Sequence, residues 1–266
     1  MQSPSIKEQF QRAHSAHADS PVLQRIWRNA YGEDYPEGVN PSAFYSRSTL
    51  LRLRAGLRTD AGGTIVDLGC GNGGAGLWFA RELGTKLIGI DLSAVGVATA
   101  SKRAAELGLS DRVHFQQGDI TATGLSSASC DGAISLDVLA FVRDKAAAIN
   151  EVARILRPGA RFAFTTWEQE GYSARLNAAQ LADHRPTLIA AGFDIELYEE
   201  PMEWRRQQQA VAEGLLASEQ ELAAELEPLT VEQFMRLARG MLADLPHRRY
   251  VSVIARLRQE KSGRNQ

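Results

Sequence analysis

From position 64 onward the apolar residues fall into short β-branched runs separated by stretches with helical spacing. The runs are "TIVDL" (64–68), "KLIGIDL" (86–92), "RVHFQQ" (112–117), "DGAISLD" (131–137) and "ARFAFTTW" (160–167). Between them "LWFAREL", "AVGVATASKRAAELG" and "DKAAAINEVARIL" read as helices. Strands this apolar need cover on both faces, so the alternation predicts a parallel sheet wrapped by helices, the doubly wound α/β class. In the helix before the fifth run, Asp144 is expected to cap the start. Ile149, Val152, Ala153 and Leu156 form its buried stripe, and Pro158-Gly159 stops it. Two further strands are predicted, "FDIELYEE" (193–200) and "YVSVIARL" (250–257). The segment 203–245 between them has helical spacing throughout, with apolar positions at Leu215, Leu222, Phe234, Leu237 and Met241.

Residues 1–60 have a different texture. Ile6, Phe10 and Ala13 share one helical face, and Val22, Leu23, Ile26, Trp27 and Ala30 share another. The Gly- and Pro-rich "YGEDYPEGVNPSAFY" then punctuates a loop before a third helix at 43–57. Amphipathic helices need a partner surface, so this region is expected to form a lid. The expected division is a lid at 1–60, a ligand-binding core at 61–202 and a helical cap at 203–245. The last strand follows at 246–258, then a polar tail at 259–266.

Composition narrows the function classes. A chain of 266 residues suits one main domain with a sizeable core. Thirty basic against thirty-two acidic residues leave a net charge of −2, so no global field draws the chain to nucleic acid or an anionic membrane. Cys70 and Cys130 form neither a CxxC pair nor part of a His cluster, which argues against a disulfide framework and a metal site. Neither a leader peptide nor a long apolar run is visible, and a cytoplasmic protein is expected; a homodimer is compatible with all of this.

The stretch "TIVDLGCGNGGAG" carries the chemistry. Gly69, Gly71 and Gly74 satisfy the G-x-G-x-x-G spacing after a predicted strand and at a predicted helix start, where tight turning and close ligand approach both call for missing side chains. A plain strand-to-helix turn has the same signature. Asp67 separates the candidate ligands. A carboxylate two residues before the first glycine would face the pyrophosphate of a dinucleotide, and like charges about 5 Å apart repel by about 3 kcal/mol at an effective dielectric near 20. An ammonium-bearing, phosphate-free ligand such as S-adenosylmethionine is favoured instead. Asp91 ends the second strand, where a carboxylate can accept both ribose hydroxyls. Asp119 ends the third, where it can accept from an adenine amino group, with Ile120 against the ring.

"VDLGCGNGG", "GIDLS", Gly118-Asp119, "DGAISLDVLAFV" and "EVARILRPGARFAFTTW" together resemble, in order and spacing, the motifs of the class I S-adenosylmethionine-dependent methyltransferases. The resemblance covers about 64–167. It implies a Rossmann-like seven-stranded sheet whose last strand is antiparallel and inserted between strands five and six. It also implies that Asp67 and the glycines face the methionine part, Asp91 the ribose, and Asp119 and Ile120 the adenine, with Cys70, Leu92 and Leu136 completing the cofactor set. The fourth-strand motif reads "SLDVLAF" where many nucleic-acid and protein amide methylases have Asn-Pro-Pro-Tyr, which points to a small-molecule methyl acceptor, a natural-product intermediate above all.

Methyl transfer asks a protein mainly to position a nucleophile, with a general base where the nucleophile is a hydroxyl. Asp137, His14 and His17 are the candidates for such a role, each weighed against a capping or solvated position. Asp137, Trp167, Tyr31, Tyr35 and Tyr45 are the candidates for the substrate wall, to which the segment 203–245 is expected to add Leu215, Phe234 and Met241. His184 is expected to be structural, and His114 to face outward. Arg205-Arg206 and Arg248-Arg249 are expected as solvated pairs, with an anionic substrate as the alternative. The rival functions are a nicotinamide-dependent oxidoreductase and a non-methylating S-adenosylmethionine-binding protein of the same fold.

Overall fold

The computed structural model describes residues 6–39, 43–169 and 180–259. Seven strands form one sheet: β1 (Thr64–Leu68), β2 (Lys86–Asp91), β3 (Val113–Gln117), β4 (Cys130–Leu136), β5 (Leu156–Gln169), β6 (Phe193–Glu199) and β7 (Arg248–Leu257). Their order is β3-β2-β1-β4-β5-β7-β6. The first five are parallel, with Asp67 opposite Gly89 and Ile134 opposite Ala163, and β7 runs antiparallel to both β5 and β6. Each strand alternates its side chains between two packed faces. Ile65 and Ala163 point to one core with Leu53, Phe79 and Ala104, whereas Val66, Leu68, Phe162 and Phe164 point to another with Ile149 and Val152.

The helices are α1 (Ile6–Asp19), α2 (Pro21–Tyr31), α3 (Arg47–Leu57), α4 (Gly74–Leu83), α5 (Ala94–Glu106), α6 (Lys145–Ile155), α7 (Arg185–Ala190), α8 (Trp204–Ala217), α9 (Glu219–Glu225) and α10 (Pro228–Asp244). Asp144 caps α6 by accepting from the Ala147 N–H at 2.8 Å. That helix ends one residue earlier than the sequence suggests, because Leu156 pairs with Cys130 and opens β5 across a register shift. Pro158 tolerates this bulged strand start, where no ladder donor is needed. Likewise α3 begins at Arg47 and not at 43, since the Ser46 hydroxyl accepts from the Thr49 N–H and leaves Ala43–Tyr45 outside the helix.

A third core joins α2 to α8 and α10 through Trp27, Val211, Leu215 and Phe234, and reaches the sheet through Trp167 of β5 and Tyr250 of β7. The helix α3 packs on β5 and β7. It therefore belongs to the sheet layer, leaving α1, α2 and α8–α10 as the cap over one sheet edge. No helix of the described residues is long and apolar enough to cross a membrane.

Where the antiparallel strands meet, Glu168 is buried at 1% exposure and ties four elements together. It accepts from the His184 N–H (2.7 Å), His184 Nδ1 (3.0 Å), the Tyr198 hydroxyl and the Arg249 guanidinium. Burial alone would raise its pKa, but the hydrogen bonds from His184, Tyr198 and Arg249 outweigh it and hold the carboxyl below its usual range. The stabilisation is present above the unfolded-state value and is lost as pH falls through the folded one. Glu168→Ala leaves His184 and Arg249 without their acceptor, and is expected to cost about 3–5 kcal/mol in urea unfolding at neutral pH; a cost below about 1 kcal/mol would remove this carboxylate from its structural role.

Candidate functional site

The carboxyl ends of β1, β2, β4 and β5, the loop after β3, and side chains of α1, α2 and α10 enclose a cavity of about 790 Å³. From β3 to β5 is four strand spacings, about 19 Å. Open α/β sheets gather ligands at this edge.

Beyond β1 the chain turns back through hydrogen bonds from the Gly69 and Cys70 N–H groups to the Ile90 carbonyl (2.7 and 3.1 Å). The glycines answer first to the chain's own packing. Gly69 has φ 81°, and a Cβ there would lie 2.3 Å from Val138; a Cβ on Gly74 would lie 2.2 Å from the Val39 carbonyl oxygen. Arg103 fastens the same region, donating to the carbonyls of Asn72 (3.2 Å) and Val39 (3.2 Å) and so joining the glycine loop to the lid loop. Sequence reasoning assigned these gaps to tight turning and ligand approach, not to contacts with Val138 and Val39, and missed Arg103, which looks from its helix like any solvated arginine.

Asp91 accepts from the Gly71 N–H (2.9 Å) and the Ser93 N–H (2.7 Å), one bond per oxygen, so each oxygen keeps a lone pair. Asp119 accepts from the Thr121 N–H and hydroxyl, both at 2.8 Å and both on Oδ1, which leaves Oδ2 without a donor among the described residues. Cys70, Leu92, Ile120 and Leu136 all line the cavity. Burial, reinforced by Asp67 and Asp91, pushes the Cys70 thiol well up and keeps it protonated.

Asp67 is the outlier of the group. It is 2% exposed, and its Oδ2 has no hydrogen-bond partner. Burial first, then the Asp91 charge, pushes its pKa up to about 7, with the Gly76 N–H as counterweight.

At the other end, Asp137 adopts a left-handed backbone (φ 63°), a conformation Asp tolerates better than most residues. Its carboxylate accepts from the Phe44 N–H (2.6 Å), the Thr165 hydroxyl (2.7 Å) and the Tyr250 hydroxyl (2.7 Å). Its donors thus come from the chain itself, and they fix Phe44 against β5 and β7. Neither Thr165 nor Tyr250 was singled out in the sequence; both lie inside strands whose apolar pattern hides them.

Of the predicted wall, Trp167 and Tyr45 line the cavity, and Phe44 stands edge-on to Trp167 with ring centroids 5.4 Å apart. Tyr31 and Tyr35 do not line it. The Tyr31 hydroxyl donates to the Phe44 carbonyl (2.7 Å) from behind, and Tyr35 lies beneath the Arg28 guanidinium. Both brace the lid loop. The helix α10 contributes Leu229, Gln233, Phe234 and Leu237, while Leu215, expected in the same wall, is fully buried in the cap core. His14 and His17 belong to α1, and their side chains lie outside the described residues. His184 is buried against Glu168, and His114 is exposed.

Residues 59–220 match the family model described as a methyltransferase domain. The chain belongs to the methyltransferase domain family. Methyltransferase GfsG of Streptomyces halstedii is 29% identical to this methyltransferase-domain chain over 175 residues, covering 60% of this chain and 63% of GfsG. The chain spans less than two thirds of the length of the curated relatives it matches first. Among solved structures, the [4+2]-cyclase SpnF superposes with a TM-score of 0.71 at 23% identity, covering 89% of this chain and 93% of SpnF. The phosphoethanolamine N-methyltransferase 2 of Haemonchus contortus, solved with S-adenosyl-L-methionine, has a TM-score of 0.72 at 18% identity and covers 97% and 61% of the two chains. The methyltransferase fold implied by the sequence motifs, with β7 inserted antiparallel between β5 and β6, is the fold observed.

Asp67 gives the ligand-free methyltransferase-domain chain a pH signature. Its folded pKa lies above the unfolded value near 3.9, so the proton it binds stabilises the fold below that value, and this contribution is lost as pH rises towards about 7. The stability of the natural chain minus that of Asp67→Asn is expected to fall by about 1 kcal/mol per unit between pH 5 and 7. Denaturant melts at three pH values check this; parallel profiles would show that Asp67 titrates normally.

Proposed function

We propose that this chain is an S-adenosylmethionine-dependent methyltransferase acting on an O, N or C atom of a small organic molecule, with a natural-product intermediate as the substrate class. The observation that carries the reading is the donorless, buried Oδ2 of Asp67, an oxygen beside Gly76 on a residue that lines the main cavity together with the glycine loop and Asp91. An ammonium donor supplies what that oxygen lacks, whereas a pyrophosphate would add charge of the same sign. The family match and the fold agree with this ligand.

When bound, S-adenosylmethionine supplies a methyl group on a positively charged sulfur, activated for in-line attack. The chain's own groups do the rest. The free lone pairs of Asp91 suit two ribose hydroxyls, and Asp119 Oδ2 suits an exocyclic amine beside Ile120 and Leu92. Leu136 and Val138 offer apolar contact between these acids and the far end. There Phe44, Trp167, Phe234 and Leu237 exclude water and set the shape into which an acceptor must fit. Asp137 holds Phe44 in that wall through its three intrachain bonds, which makes it a positioning residue for the acceptor end. The two buried free cysteines suit a reducing, cytoplasmic setting.

Incubation with S-adenosylmethionine labelled on the methyl group and a small-metabolite extract is expected to transfer label into the low-molecular-weight fraction. Label retained entirely on the cofactor across chemically diverse extracts would favour a non-methylating cofactor binder. In calorimetry, Asp91→Ala is expected to weaken S-adenosylmethionine by about 1.5–3 kcal/mol, roughly 10- to 150-fold; a folded variant with unchanged affinity would remove the ribose assignment.

A further inference from the structure

A smaller cavity of about 120 Å³ adjoins the acceptor end of the main one, and Phe44, Phe141, Trp167 and Leu237 line both. Arg248, the first residue of β7, forms part of its wall together with Glu168 and Gln180; the Gln180 amide donates to the Ala140 carbonyl at 2.9 Å and keeps a buried Oε1 without a donor. The four cap-side arginines named by the sequence have different surroundings. Arg249 pairs with Glu168 and Arg206 with Glu203, while Arg205 lies over the Trp204 ring and donates to the Leu245 carbonyl. Arg248 has no carboxylate within ion-pair distance among the described residues. Its Nε is buried without a partner, its Nη2 reaches Gln208 Oε1 only at 3.5 Å, and its guanidinium sits 5.3 Å from the Trp167 ring centroid. It is a largely buried cation without a matching anion, contrary to the solvated pair expected from the sequence.

A second group has the same deficit. Gln208 Oε1 accepts from Trp167 Nε1 at 3.1 Å, which fixes the amide's orientation and leaves its Nε2 buried with no acceptor. Of the nearby carboxylates, Asp137 is committed to Phe44, Thr165 and Tyr250, and Glu168 to His184, Tyr198 and Arg249, while Asp244 acts on Arg248 through its charge without forming an ion-pair contact with it. Burial lowers the Arg248 pKa to about 10, so the guanidinium is still charged at neutral pH.

We propose that this side cavity seats a carboxylate carried by the methyl acceptor, with Arg248 as its counter-ion, so that the substrate class narrows to carboxylic acids. This rests on reading the main cavity as a cofactor-and-acceptor site. The guanidinium fork matches a carboxylate in geometry, and a guanidinium with no carboxylate in contact has its fork free for one. A phosphate dianion would face the charges of Asp137 and Glu168 against only one cation. The acceptor's apolar body would then lie against Trp167 and Phe44, with its reacting atom directed towards Leu136 and the cofactor end.

The test is titration of the full chain, saturated with S-adenosylhomocysteine, with benzoate, its neutral isostere benzamide, and phenyl phosphate. Benzoate is expected to bind at least about tenfold more tightly than benzamide and more tightly than phenyl phosphate. Arg248→Met should erase the preference for benzoate while S-adenosylhomocysteine affinity stays within about threefold, and Arg248→Lys should retain part of that preference. Equal binding of benzoate and benzamide, no detectable benzoate binding, tighter phenyl phosphate, or an undiminished preference in folded Arg248→Met would each overturn the proposal. The comparison of the three probes on the natural chain stands even if the methionine variant does not fold. Failure of S-adenosylhomocysteine to bind would count against the methyltransferase reading, and repeating the comparison on the ligand-free chain would still judge the carboxylate seat.

Discussion

A buried carboxylate oxygen that no group of the protein hydrogen-bonds is an expensive thing to keep, and Asp67 keeps one at the end of β1. The surrounding structure explains why it is buried. Packing of α4 against the sheet brings Gly76 so close that a Cβ there would lie 2.5 Å from Asp67 Oδ2, and the Gly69 turn folds over the strand end against Val138. The Gly76 N–H offsets the charge only in part, and Asp91, held by two backbone N–H groups, adds a second negative charge. The cofactor end therefore offers acceptors and unbalanced negative charge, which suits a cationic ligand rich in hydroxyl and amino donors.

The acceptor end has the opposite character. Its carboxylates are satisfied within the chain, Asp137 by three donors and Glu168 by groups on three residues, while a guanidinium and an amide lack acceptors. One elongated cavity thus runs from a pole short of donors to a neighbouring pocket walled by a guanidinium without an ion-pair partner, with aromatic walls between them. The proposed methyl transfer needs two ligands end to end, and this polarity would give each a preferred end.

Much of the sheet was legible because its signals are local. Short β-branched runs, a capping Asp144 and glycines after β1 each report on a few neighbouring residues, and the strands appear where those patterns place them. The three acids at strand ends were legible for the same reason, since topology brings the carboxyl ends of parallel strands to one edge. What stayed hidden depends on long-range pairing. Sequence spacing could not show that Tyr31 would brace Phe44 from behind, that Leu215 would face α2, or that Asp137 would meet Phe44, Thr165 and Tyr250. Arg248 and Arg249 show the limit most plainly. Adjacent in a strand, they project to opposite faces, so one reaches Glu168 and the other the side cavity.

The central claim is that Asp67 is held unpaired until a cationic ligand meets it. Carbon-13 NMR titration of its carboxyl carbon, assigned by comparison with Asp67→Asn, measures this directly in the free chain and with S-adenosylhomocysteine bound. The account predicts a free-state pKa of about 7 and a fall of at least one unit on binding, as the ligand's ammonium favours the carboxylate. A free-state value near 4, or a value that binding leaves unchanged, would contradict it.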